Sequence, residues 1–111
     1  LQRRWRNTVR INEKLYAPDE LLDRAVLDND GLDLGNVTDL VKIKRTYKGL
    51  VIKPHYIVRT RQGLPDTIIV PVGQLARTTA RLDEIILRCS MKRLVTLPSY
   101  LKLNGQGSEE E

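Results

Sequence analysis

Leu22-Asp23-Arg24-Ala25-Val26-Leu27-Asp28-Asn29-Asp30-Gly31-Leu32-Asp33-Leu34-Gly35-Asn36-Val37-Thr38-Asp39-Leu40 reads as a β-hairpin. Ala25-Val26-Leu27 is a short apolar run with strand character. Asn29-Asp30-Gly31 is a turn: Asn and Asp tolerate left-handed backbone angles, and Gly takes positive φ without a Cβ clash. The second strand starts at Leu34. Val37, Val41 and Ile43 follow at even spacings, which puts them on one predicted face. Gly35 inside that strand marks a bulge, or a sharp bend of the kind a small barrel needs.

Upstream, Trp5, Val9 and Ile11 are set among Arg3, Arg4, Arg6 and Arg10. Residues 1–14 are predicted to be a basic N-terminal arm, or one strand that docks through Trp5. Leu15-Tyr16-Ala17 follows as a short strand. Residues 17–22 form a single helical turn, with Pro18 and two acids at its start.

Downstream, the second hairpin strand is predicted to run to about Thr46, with a turn at Tyr47-Lys48-Gly49. Leu50 to Arg61 is the longest predicted strand. Ile52, Tyr56 and Val58 lie on its apolar face, and Lys53, His55, Arg59 and Arg61 on its charged face. Pro54 lacks a backbone donor and implies an edge or a bulge. After a turn at residues 62–66, Thr67 to Val72 is a buried strand interrupted by Pro71. Residues 72–76 suggest one helical turn, 77–81 a basic loop, and 82–89 a strand ending in Cys89. Ser90 caps a short helix through Leu94, and Leu97-Pro98-Ser99-Tyr100 is a docking segment. Residues 104–111 are predicted to be a disordered acidic tail. The sum is a mostly β chain with one or two short helical turns. Its short strands and regular turn signals predict a small antiparallel β-barrel over residues 15–103, or a sandwich.

A chain of 111 residues is one domain. Its net charge of +5 is unevenly spread. Residues 19–39 carry seven carboxylates and one base, whereas residues 42–61 carry seven bases and no acid. Such polarity suits binding to nucleic acid or anionic lipid, or pairing of acidic and basic faces between subunits. No apolar run reaches the ~18 residues of a membrane span. The single cysteine allows no internal disulfide, and a cytoplasmic location is expected.

The catalytic inventory is small. His55 is the only histidine, and no pattern brings an acid or nucleophile to it, so it reads as a surface or interface residue. Cys89 closes an apolar strand and reads as a small core residue. The acidic run from Asp28 to Asp33 has a passing likeness to a calcium loop. Its glycine stands fourth rather than sixth and its flanks are strands, so a turn held by Asx hydrogen bonds is the better account. No metal, no cofactor and no enzyme activity are expected. Lys53, Arg59 and Arg61, with Lys42 and Lys44 on a neighbouring strand, could form a cationic sheet surface. Tyr47 and Tyr56 lie near enough in sequence to stack bases, although Tyr56 is assigned to the core with Ile52 and Val58.

Val26-Leu27-Asp28-Asn29-Asp30-Gly31 followed by Leu34-Gly35-Asn36-Val37-Thr38-Asp39-Leu40 resembles the signature turn and strand of PRC-barrel domains. Ile69-Val70-Pro71-Val72 is similar to that family's proline-containing strand. Residues 82–87, Leu94 and Leu97-Pro98-Ser99-Tyr100 are similar to the closing segment of stand-alone members. The likeness covers about residues 15–101. It departs from the family at Asp23, where members often carry Gly, and in the longer, more basic stretch from Lys42 to Arg61. That stretch and the N-terminal arm are where a function private to this chain would lie.

The resemblance implies a binding or adaptor module with no catalytic residues. Members serve photosynthetic reaction centres, ribosome maturation and archaeal cell division. Neither a transmembrane helix nor a second RNA-facing domain is read within these residues. The leading expectation is therefore a homodimeric protein–protein interaction adaptor of the cell-division type, self-associating through the barrel edge and Leu94, Leu97 and Tyr100. The alternative is an RNA- or ribosome-associated protein that uses Arg3, Arg4, Arg6, Lys53, Arg59 and Arg61.

Overall fold

The computed structural model describes residues 8–81 and 83–105. The elements run β1 (Val9–Ile11), β2 (Lys14–Tyr16), α1 (Pro18–Leu21), β3 (Ala25–Leu27), β4 (Asp33–Ile43), β5 (Thr46–Pro54), α2 (Tyr56–Gln62) and β6 (Ile68–Pro71). A 3-10 turn at Val72–Gln74 leads to β7 (Leu75–Thr78), β8 (Glu84–Leu87), α3 (Met91–Leu94) and α4 (Pro98–Leu103). The protein is mostly β, as its sequence predicts. β1 and β2 form their own hairpin, and the main sheet has the order β6-β5-β4-β3-β8-β7.

That order forces curvature. Five steps of about 4.8 Å would hold β6 and β7 about 24 Å apart in a flat sheet. Pro71 ends β6 and Leu75 begins β7, and four residue steps reach about 14 Å at most. The sheet must curl to bring its two edges together. Backbone pairing does not run from β6 to β7 among the described residues, so the ladder is curled but open. The expectation of an all-antiparallel sheet is corrected at one place. β8 pairs with β7 antiparallel but inserts beside β3 in parallel, matching Val26 to Ile85.

The core follows the two-residue period of strands. Leu50 and Ile52 on β5, Ile68 and Val70 on β6, and Ile85 and Leu87 on β8 are all buried. Val26, Leu34 and Val37 complete the wall from the opening hairpin. The single predicted face of Val37, Val41 and Ile43 does not survive. Thr38 is an extra residue between the Val37–Ile52 and Asp39–Val51 pairs. That bulge shifts the alternation, and Ile43 ends up exposed. Gly35 is where the sequence places a bend. Its φ is +147°, and a Cβ there would lie 2.1 Å from the Lys53 carbonyl oxygen.

Several elements differ from the sequence reading. The β4–β5 turn is Lys44-Arg45, because Ile43 pairs with Thr46 and Lys42 with Tyr47. Tyr47-Lys48-Gly49 lies within β5, where Gly49 serves packing: a Cβ would meet Ile69 Cγ2 at 2.5 Å and Leu103 Cδ1 at 3.3 Å. The long predicted strand also stops at Pro54, and α2 takes over. Gly63 closes α2 in the left-handed conformation, and the amide of Leu64 donates to the Arg59 carbonyl at 2.9 Å. The β-branched pair Ile57-Val58 disguises this helix as strand. Only Val58 of α2 is buried, and Tyr56 is exposed rather than in the core.

Residues 75–78, partly assigned to a basic loop, form β7. Within the predicted arm, Val9 and Ile11 are buried and belong to the core, while Trp5, Arg3, Arg4 and Arg6 lie outside the described residues. At the other end, Asn104 is part of the fold: its side chain accepts the Ile69 amide and donates to the Ile69 carbonyl, each at 2.8 Å. The rest of the predicted tail, 106–111, lies outside the described residues.

Candidate functional site

β3 pairs with β4 only as far as Asn36, and β6 pairs with β5 only from Gly49 to Ile52. The far end of the β4–β5 hairpin is therefore a two-stranded ribbon with no third strand paired beside it. It carries Lys42, Lys44, Arg45 and Lys48. Lys48 is an extra residue in β5, between the Lys42–Tyr47 and Val41–Gly49 pairs. Lys44, Arg45 and Lys48 are exposed, and none forms an ion pair among the described residues.

The turn itself is strained. Lys44 has φ +51° and Arg45 φ +71°. A two-residue hairpin turn with positive φ at both positions ordinarily takes Asn-Gly, because side chains crowd the backbone there. Each non-glycine residue in this region costs about 1 kcal/mol or somewhat more. The chain thus places two long cations where a neutral Asn-Gly would fold more readily.

Tyr47 does not offer a free ring at this end. It is half-buried against the core, with the Lys42 ammonium 5.1 Å from its ring centroid. The hairpin tip presents charge, and its aromatic is occupied.

The predicted cationic strand face is split by the fold. Lys53 stands on β5, whereas Arg59 and Arg61 ride on α2. Arg59 is ion-paired with Asp66 and lies over the Tyr56 ring, its guanidinium carbon 5.5 Å from the centroid. Lys53 and Arg61 are exposed and make no ion pair among the described residues. Of the bases grouped at the tip, none is in the predicted contact set; Lys42 and Lys44 belong to the predicted cationic sheet surface, and Arg45 and Lys48 to neither. The glycine at position 49 draws the expected turn past them.

His55 has a partner the sequence does not announce: its Nε2 lies 3.1 Å from Asp33 Oδ1, with both side chains half-exposed. Asp33 Oδ1 also accepts the Gly35 amide at 3.1 Å, so this contact fastens the start of β4 to the start of α2. An open cleft of about 440 Å³ beside β7 is lined by Lys14 and Arg77 together with Glu13 and Tyr16, and does not include the pair.

The residues predicted for self-association are placed by α3 and α4. Leu94 is fully buried and Tyr100 nearly so, and Leu97 is half-buried against the same core. Burial pushes the Tyr100 phenol above its ordinary value. Leu94 and Tyr100 therefore have almost no exposed area to offer a contact, while Leu97 keeps part of its own exposed.

No helix among the described residues is long and apolar enough to cross a membrane. No protein-family model matches the sequence, and no curated protein matches it. Among solved structures, the chain is similar to that of a protein described as a 16S ribosomal RNA processing protein, RimM, from Pseudomonas aeruginosa. The two share 21% identity with a TM-score of 0.49, over 65% of this chain and 42% of that one. The chain thus spans less than half the length of that protein.

Proposed function

We propose that this protein is a non-enzymatic RNA-binding module, ribosome-associated in setting, whose β4–β5 hairpin end grips the phosphate backbone. The observation that carries this reading is the pair Lys44-Arg45 held at positive φ. A turn that keeps two cations in unfavourable backbone geometry has a use for their charge. Lys48, exposed and without an ion pair among the described residues, extends the same cationic surface. The resemblance to PRC-barrel proteins, some of which serve ribosome maturation, favours RNA over DNA. The homodimeric adaptor reading would have to rest on Leu97 and the sheet edge, since Leu94 and Tyr100 are interior.

The test is fluorescence anisotropy with a labelled RNA oligonucleotide across a salt series. Phosphate contacts release counterions, so contacts from Lys44, Arg45 and Lys48 give a log–log salt slope of about −2. The double reversal Lys44→Glu/Arg45→Glu is expected to weaken binding at least about tenfold and to flatten the slope by roughly 1.5. Absence of binding by the parent protein at ~50 mM salt sinks the proposal.

A further inference from the structure

We infer that Tyr56 is a stacking platform for one unpaired nucleobase, a second contact for the RNA held by the hairpin end; this deepens the proposed function and rests on it. Tyr56 is 69% exposed, more than any other large apolar side chain among the described residues. An aromatic ring of that size normally hides most of its surface. Here one face is backed by the Arg59 guanidinium, 5.5 Å from the ring centroid. Arg59 is itself held by Asp66, and its carbonyl accepts the amides of Gly63 and Leu64 at the end of α2. The ring is therefore steadied from one side and open on the other.

A steadied aromatic face with a cation behind it suits a flat π-system, and nucleobases stack on such faces irrespective of sequence. The neighbourhood favours a polyanion. Exposed Lys53 and Arg61, without ion pairs among the described residues, flank Tyr56 in the chain, and Ile57 adds an apolar surface that is 62% exposed. A base inside a duplex has no free face, so the ligand at Tyr56 is single-stranded.

The separation of the two contacts fits one strand. β5 runs from Thr46 beside the turn to Pro54 beside α2, a span of about 26 Å. That equals about eight nucleotides at a stacked spacing of ~3.4 Å, within the ~4–16 nucleotides that compact single-strand binders cover. The hairpin end supplies charge and Tyr56 supplies stacking.

The experiment uses the whole chain and single-stranded RNA 12-mers in which 2-aminopurine is placed at each position in turn. The parent protein is expected to quench the probe at a preferred distance from the end held by the hairpin. Tyr56→Ala is expected to remove the quenching and weaken binding about tenfold with an unchanged salt slope. Tyr56→Phe and Tyr56→Trp are expected to retain both. Tyr56 is exposed, so the variants should share the parent's thermal midpoint.

Tyr56→Ala that binds and quenches like the parent overturns the stacking site. If Lys44→Glu/Arg45→Glu still weakens binding in that case, the hairpin reading stands alone and Tyr56 belongs to a protein contact. If the parent binds no RNA, both proposals fail together.

Discussion

The carboxylate of Asp28 and the amide of Met91 are hydrogen-bonded at 2.9 Å across 63 residues of sequence. The other carboxylate oxygen of Asp28 accepts the amides of Asp30 and Leu32, each at 2.9 Å. Asp28 is buried, so one side chain shapes the β3–β4 turn and fastens α3 to it. Asp28→Asn keeps the size but turns an amide donor toward one of these N–H groups. A buried donor left without an acceptor costs about 1–3 kcal/mol. Urea unfolding should show a loss of that size as a lower midpoint with an unchanged m-value. A parent-like midpoint would mean that the clasp contributes nothing.

Gly35 is the tightest point in the sheet. A Cβ there would stand 2.1 Å from the Lys53 carbonyl oxygen and 2.9 Å from the Lys53 carbonyl carbon. These are backbone atoms of a paired strand and cannot rotate aside. Its φ of +147° is also hostile to any side chain. Gly35→Ala is expected to cost more than about 3 kcal/mol, among the larger effects of a single substitution. The thermal midpoint checks it, and Gly31→Ala serves as comparison because nothing lies within 4 Å of a Cβ at that site.

Replacing Lys44-Arg45 by Asn-Gly separates stability from binding. The new pair accepts positive φ, so the folded protein should gain about 1–2 kcal/mol. If the proposed function holds, RNA affinity should fall, because two of the cations assigned to phosphate contact are gone, and the salt slope should flatten by roughly 1.5. A variant that is more stable and binds as well as the parent would show that the cations at the turn have no part in recognition.

Stability should also fall in alkali. Burial pushes the Cys89 thiol above its ordinary 9.0, with Arg93 opposing the rise and Asp28 adding to it. Burial likewise raises the Tyr100 phenol above 10.0. In both cases the folded state holds its proton more tightly than the unfolded state. Their stabilising contribution is complete below the ordinary values and is lost as pH rises through the raised ones. Urea midpoints at pH 8, 9 and 10 test this. Cys89→Ala should reduce the decline between pH 9 and 10, and an identical decline would remove Cys89 as a cause.

Much of this architecture is legible in the sequence where local chemistry and tertiary demand agree. Asp28 to Gly31 spells its turn, Gly35 the irregularity in its strand, Pro71 the end of β6, and Ser90 the cap whose side chain accepts the Arg93 amide at 3.3 Å. Legibility fails where tertiary packing overrides local preference. Gly49 looks like a turn but makes room for Ile69 and Leu103. Lys44-Arg45 lacks any turn residue and yet turns. Ile57-Val58 has the composition of a strand and lies in a helix. The candidate site sits at these mismatches, so its members are visible as charges while their arrangement is not.

Asn104 meets the outward N–H and C=O of Ile69 with its own amide group. In doing so it occupies the place where a foreign strand would zip onto β6. One side-chain amide thus caps a bare strand margin at Ile69 and closes that position to edge-to-edge pairing.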